Sequence, residues 1–101
     1  MSLMNTIQVK TIMTKIYIYC LFDDTRGETF KGVYSSIKAV HRDALRLANR
    51  GDSRVYMVYD NKAIDATVGN LRNILKGKVD DYVTYRTNRS LVRVYKTKLK
   101  E

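Results

Sequence analysis

The residue pattern predicts a two-layer α+β domain: an antiparallel or mixed sheet of four to five strands with two helices on one face, in the order ββαβαββ. Three observations predict it. Segments rich in β-branched and aromatic residues sit as hairpin-like pairs near both ends, and two segments of helical periodicity lie between them. The chain's 101 residues, 45% of them hydrophobic, suffice for one core of ordinary size and leave no length for a second. Hairpin strands pair at little entropic cost, and two amphipathic helices need one sheet face to bury against.

Lys15 to Phe22 opens the domain as a strand with Ile16, Ile18, Cys20 and Phe22 on one face at period two. Asp23-Asp24-Thr25-Arg26-Gly27-Glu28 has turn chemistry, and Thr29 to Tyr34 returns as the hairpin partner, with Gly32 marking a bulge or close approach. Ser35 and Ser36 offer capping hydroxyls to a helix whose apolar positions are Ile37, Val40, Ala44, Leu47 and Ala48, and Asn49-Arg50-Gly51 stops it. Arg54 to Tyr59 reads as a strand and Asp60-Asn61-Lys62 as a turn. Thr67 caps a shorter helix from Val68 to Lys76, with Val68, Leu71, Ile74 and Leu75 on one face and Gly77 closing it. Tyr82 to Arg86 and Ser90 to Lys98 form a second hairpin around Thr87-Asn88-Arg89.

Residues 14–101 therefore read as a single basic domain. Residues 1–13 read as a leader or N-terminal extension, with Met1–Leu3 a cloning scar before a start at Met4. No charged-then-apolar signal layout occurs there, and no run approaches the roughly 18 apolar residues of a membrane span. The lone Cys20, inside an apolar run, fits a reduced, packed thiol. A cytoplasmic protein with no membrane partner is expected.

Charge is the strongest compositional signal. Nineteen Lys and Arg against ten Asp and Glu give +9, a surface that attracts polyanions whatever the fold. Two clusters stand out. Lys38, Arg42, Arg46 and Arg50 follow one another at i, i+4 along the longer helix, where a row of cations can meet successive phosphates. In the C-terminal hairpin Arg86, Arg89, Arg93 and Lys96 are interleaved with Tyr85 and Tyr95, a mixture on which bases can stack while phosphates are neutralised. Each cluster has an ordinary structural explanation as well: a solvated helix face, and an edge strand guarded against pairing.

Catalytic chemistry finds no foothold in the pattern. One His and one Cys cannot furnish a zinc site, Asp23-Asp24 and Asp80-Asp81 fall in turns, and no phosphate-cradling or nucleophile motif occurs. No cofactor, no metal and no enzyme activity are expected. With Tyr17-Ile18-Tyr19, Lys31-Gly32-Val33-Tyr34 and His41-Arg42, the start resembles the GIY-YIG nuclease module in layout. Its signature tripeptides are missing, and the only glutamates, Glu28 and Glu101, are not placed to hold that family's metal.

The segment Lys15 to Tyr59, on Gly32-Val33-Tyr34-Ser35-Ser36-Ile37-Lys38-Ala39, resembles small phage-encoded accessory proteins. That resemblance implies a protein that binds a nucleic acid or a host protein. The expectation is a small non-catalytic binding protein whose partner is nucleic acid or another polyanion, such as an acidic protein surface. The alternative is a protein-interaction factor or homodimer with no nucleic-acid binding.

Overall fold

Local chemistry sets the helix boundaries as expected. The computed structural model describes residues 16–51 and 54–100; the N-terminal extension read from the sequence lies outside the described residues. The longer helix, α1 (Ile37–Ala48), starts where the Ser36 hydroxyl accepts from the Ala39 amide at 3.2 Å. The shorter, α2 (Val68–Leu75), starts where Thr67 accepts from Asn70 at 3.1 Å. Gly51 and Gly77 follow the two helices at φ of 111° and 72°, a region that favours glycine at a helix exit.

The strands are β1 (Tyr17–Asp23), β2 (Thr29–Tyr34), β3 (Tyr56–Tyr59), β4 (Lys62–Asp65), β5 (Asp81–Arg86) and β6 (Leu91–Lys98). They form one sheet, ordered β2-β1-β6-β5-β3-β4 with every pairing antiparallel. The long β6 joins the two terminal hairpins, because it pairs with β1 on one side and β5 on the other, Cys20 opposite Tyr95 and Val83 opposite Val94.

The expected four to five strands become six, and the order becomes ββαββαββ. The additional strand is β4. Asp60 and Asn61 adopt positive φ of 52° and 62°, the geometry of a tight two-residue hairpin turn, so Lys62 begins a return strand where a longer turn was expected. Four residues with charged ends leave no periodic signal to read.

Both helices cover one face of the sheet. Leu21, Met57, Val83, Tyr85, Val92 and Val94 point into that layer and meet Val40, Ala44 and Ala48 of α1 with Leu71 and Leu75 of α2. Burial of each large apolar side chain there contributes about 1.5–3 kcal/mol. The β1 face carrying Ile18, Cys20 and Phe22 points away from this core, and Leu21 is the β1 residue buried in it. β1 is apolar on both faces, so periodicity alone could not say which one the helices take.

Candidate nucleic-acid interface

Along α1, the expected cation row is in place. Lys38, Arg42 and Arg46 are exposed, with Arg42 and Arg46 side chains 64% and 72% accessible. They share one carboxylate: Asp43 pairs with Arg42 at 3.2 Å and Arg46 at 3.5 Å, and accepts a 2.6 Å hydrogen bond from the Tyr34 hydroxyl. That hydrogen bond, with the two guanidinium groups beside it, holds the Asp43 carboxyl below its ordinary range. Arg50, just past the helix, pairs with Asp23. Partial burial works to raise the Asp23 carboxyl, but hydrogen bonding from Thr25 and the charges of Arg50 and Lys31 outweigh it, so this group also titrates low.

The fold adds two cations that the sequence did not single out. Between β1 and β2 the register shifts, Leu21 facing Gly32 and Phe22 facing Phe30, so Lys31 is an unpaired bulge residue. The bulge turns Lys31 toward α1. There it lines a cleft of about 310 Å³ with Leu21, Asp43, Arg46 and Leu47. Lys31 also lines the adjoining cleft of about 240 Å³ with Asp23, Thr25, Arg26, Thr29 and Arg50. The two clefts share Lys31 and lie between α1 and β2 with the β1–β2 turn. Four cations, Arg26, Lys31, Arg46 and Arg50, line the two clefts, while Lys38 and Arg42 line a third of about 440 Å³ on the other flank of α1, beside Val68 of α2; among the described residues Asp23 and Asp43 are the carboxylates paired to these cations. The cation row follows a helix of 12 residues, about 18 Å long at about 1.5 Å per residue.

The hairpin cluster does not join this surface as a unit. Tyr85 is fully buried beneath α1, with its hydroxyl 2.7 Å from His41 Nδ1, so it is a core residue and cannot stack on a base. Lys96 is also buried, at 7% exposure. Its Nζ donates to the Leu75 carbonyl at 2.8 Å and lies 4.7 Å from the Tyr17 ring centre. Lys96 thus caps the end of α2 and cannot reach a phosphate. The cause is strand parity: Lys96 and Tyr85 share the covered face with Val94 and Val83.

Arg86, Arg93 and Tyr95 lie on the opposite, uncovered face. Arg93 donates to Asp24 at 2.9 Å and to Glu28 and lies 4.1 Å from the Phe22 ring centre, so two carboxylates neutralise it. Tyr95 donates to Asp80 at 3.0 Å. Arg89, in the β5–β6 turn, reaches toward the α1 side: its Nη1 lies 3.9 Å from where a Cβ on Gly51 would stand. The hairpin cluster is thus divided: Tyr85 and Lys96 lie buried on the helix side, Arg86, Arg93 and Tyr95 lie on the opposite face, and only Arg89 is exposed near the α1 end.

The only histidine, His41, is 8% exposed, and burial pushes its ring below the ordinary imidazole range; the ring shares a 2.7 Å hydrogen bond with the Tyr85 hydroxyl. It belongs to the core. Cys20 is a half-buried free thiol on the uncovered face, raised by burial. Among the described residues no three His, Cys, Asp or Glu side chains converge, and no helix is long and apolar enough to cross a membrane. No protein-family model, no curated protein and no solved structure matches this chain.

Proposed function

We propose that this domain is a non-catalytic binding module that holds nucleic acid along α1 through its phosphates. The observation that carries the reading is the cationic surface around α1, where Arg26, Lys31, Arg46 and Arg50 line two neighbouring clefts and Lys38 and Arg42 continue the row onto the other flank of the helix, with Asp23 and Asp43 as the carboxylates paired to them among the described residues. Ion pairs this exposed contribute about 0–1 kcal/mol each, so Arg42 and Arg46 exchange Asp43 for a phosphate at little cost. Phosphate contacts then release the counterions condensed on the nucleic acid, which drives binding and makes it salt-dependent. Nothing on this surface is shaped to read base edges. The expected ligand is a nucleic-acid backbone with little sequence preference.

Fluorescence anisotropy with labelled oligonucleotides of about 20 nucleotides tests this reading. Binding is expected at about 50 mM salt and should be lost by about 0.5 M. Absence of any salt-dependent binding to DNA or RNA near physiological ionic strength overturns it.

A further inference from the structure

Among the described residues, the face of the sheet opposite the helices carries no buried strand residue, yet much of it is apolar. Cross-strand pairing places Phe22 beside Phe30, Tyr82 beside Tyr95, and Cys20 between Tyr95 and Val33. Phe22 and Phe30 meet edge to face at 5.6 Å. Phe30 and Val33 on the edge strand β2 are 55% and 56% exposed, and Tyr82 and Tyr56 on the interior strands β5 and β3 are 50% and 38% exposed, a spread of open apolar surface across the face.

This face also differs in charge from the rest of the molecule. Among the described residues its cations are Arg54, Arg86 and Arg93, with Lys78 and Asp60 lining the same cleft as Tyr82, Thr84 and Arg86, and Lys100 near Asp80. Against them stand Asp24 and Glu28 on Arg93, Asp65 on Arg54, and Asp80, which accepts from Tyr95 and Thr97. A chain of net charge +9 thus has one broad surface where positive charge is matched. Phosphates have little reason to settle there. A second copy does: the helix-side cation row would repel its own image, whereas two balanced apolar faces can approach without that penalty.

We infer that two copies of this chain pack their uncovered sheet faces against each other about a two-fold axis. The result is a four-layer dimer with helices outside, sheets about 10 Å apart, and the aromatic cluster of each copy interdigitating with the other's. The size is sufficient. Six strands at about 4.8 Å spacing and about 20 Å length present roughly 500 Å² in projection, and more in accessible area, near the ~800 Å² per partner of a standard interface. The dimer turns both cation rows outward, so one nucleic acid can engage two of them.

Sedimentation of the full chain in about 0.5 M salt, without nucleic acid, tests this separately from the binding reading, since repulsion is then screened and no oligonucleotide bridges the copies. The expected species has the mass of two chains at micromolar concentration. Phe30→Glu and Tyr82→Glu should each weaken the dimer at least about 100-fold, because either buries an unpaired charge at the interface. Both positions are exposed in the single chain, so an unchanged circular-dichroism melt of diluted protein shows that the fold survives. Arg46→Glu should leave the dimer intact. A monomer at every concentration up to about 1 mM, or a dimer indifferent to both face variants, overturns the inference.

Discussion

Replacing Lys31 and Arg46 together by glutamine is expected to lower affinity for a single-stranded oligonucleotide about 25-fold at about 0.1 M salt, measured by anisotropy. The number follows from counterion release: each phosphate contact to a single strand contributes a factor of about 5 at that salt, and two are removed. The slope of log affinity against log salt should flatten by about 1.4. Neither side chain supports the fold. Lys31 is an unpaired bulge residue, and without Arg46 the Asp43 carboxylate keeps its hydrogen bonds from Tyr34 and Arg42. Thermal stability should therefore stay within about 0.5 kcal/mol. Arg86→Gln, on the other layer, serves as the control. It should change affinity less than about twofold, since only the long-range field is altered.

The largest effect on stability is expected at Tyr85. Tyr85→Ala should destabilise the domain by about 3–5 kcal/mol, which for a chain of this length lowers the melting temperature by roughly 15–30 °C. Tyr85 is the largest fully buried side chain, packed among Val40, Ala44 and Met57, and its loss leaves both a cavity and His41 Nδ1 without its partner. Tyr85→Phe separates the two losses, because it removes only the hydroxyl; about 1–3 kcal/mol is expected from the orphaned imidazole nitrogen. Tyr95→Ala, on the uncovered face and only partly buried, should cost less than about 1 kcal/mol in the monomer. Thermal denaturation of the three variants distinguishes this arrangement from one in which Tyr85 and Tyr95 are equivalent ligand contacts.

Much of this arrangement was legible in the residues. Ser36 and Thr67 cap the helices they were expected to cap, since capping is local chemistry that distant packing does not override. The strands of both terminal hairpins lie within two residues of their expected bounds at every end. What the residues could not show was which face of each strand the helices would cover. Strand parity already separates Tyr82 from Tyr85 and Arg93 from Lys96, but assigning one member of each pair to the core requires knowing how β5 and β6 meet the helices.

The same gap affected the candidate site. Lys31 belongs to it only because a bulge turns it toward α1, and Arg26 only because the β1–β2 turn ends beside Arg50. Neither position follows from spacing along the chain. The row Lys38, Arg42, Arg46 and Arg50 was legible because a single helix holds it together, and i, i+4 geometry survives any tertiary context. The C-terminal hairpin was misleading because sequence adjacency mixed residues of two opposite faces. Its cations divide into a helix cap at Lys96, a neutralised pair at Arg93, and exposed groups at Arg86 and Arg89.

The central claim is that nucleic acid meets the helix layer and leaves the aromatic sheet face alone. Amide chemical-shift mapping during titration with a short single-stranded oligonucleotide tests it most directly. Shifts are expected at Arg26, Lys31, Arg42, Arg46 and Arg50, with Tyr82, Arg86 and Tyr95 unmoved. Shifts concentrated on Phe22, Tyr82 and Tyr95 instead, with the α1 row silent, would contradict the account.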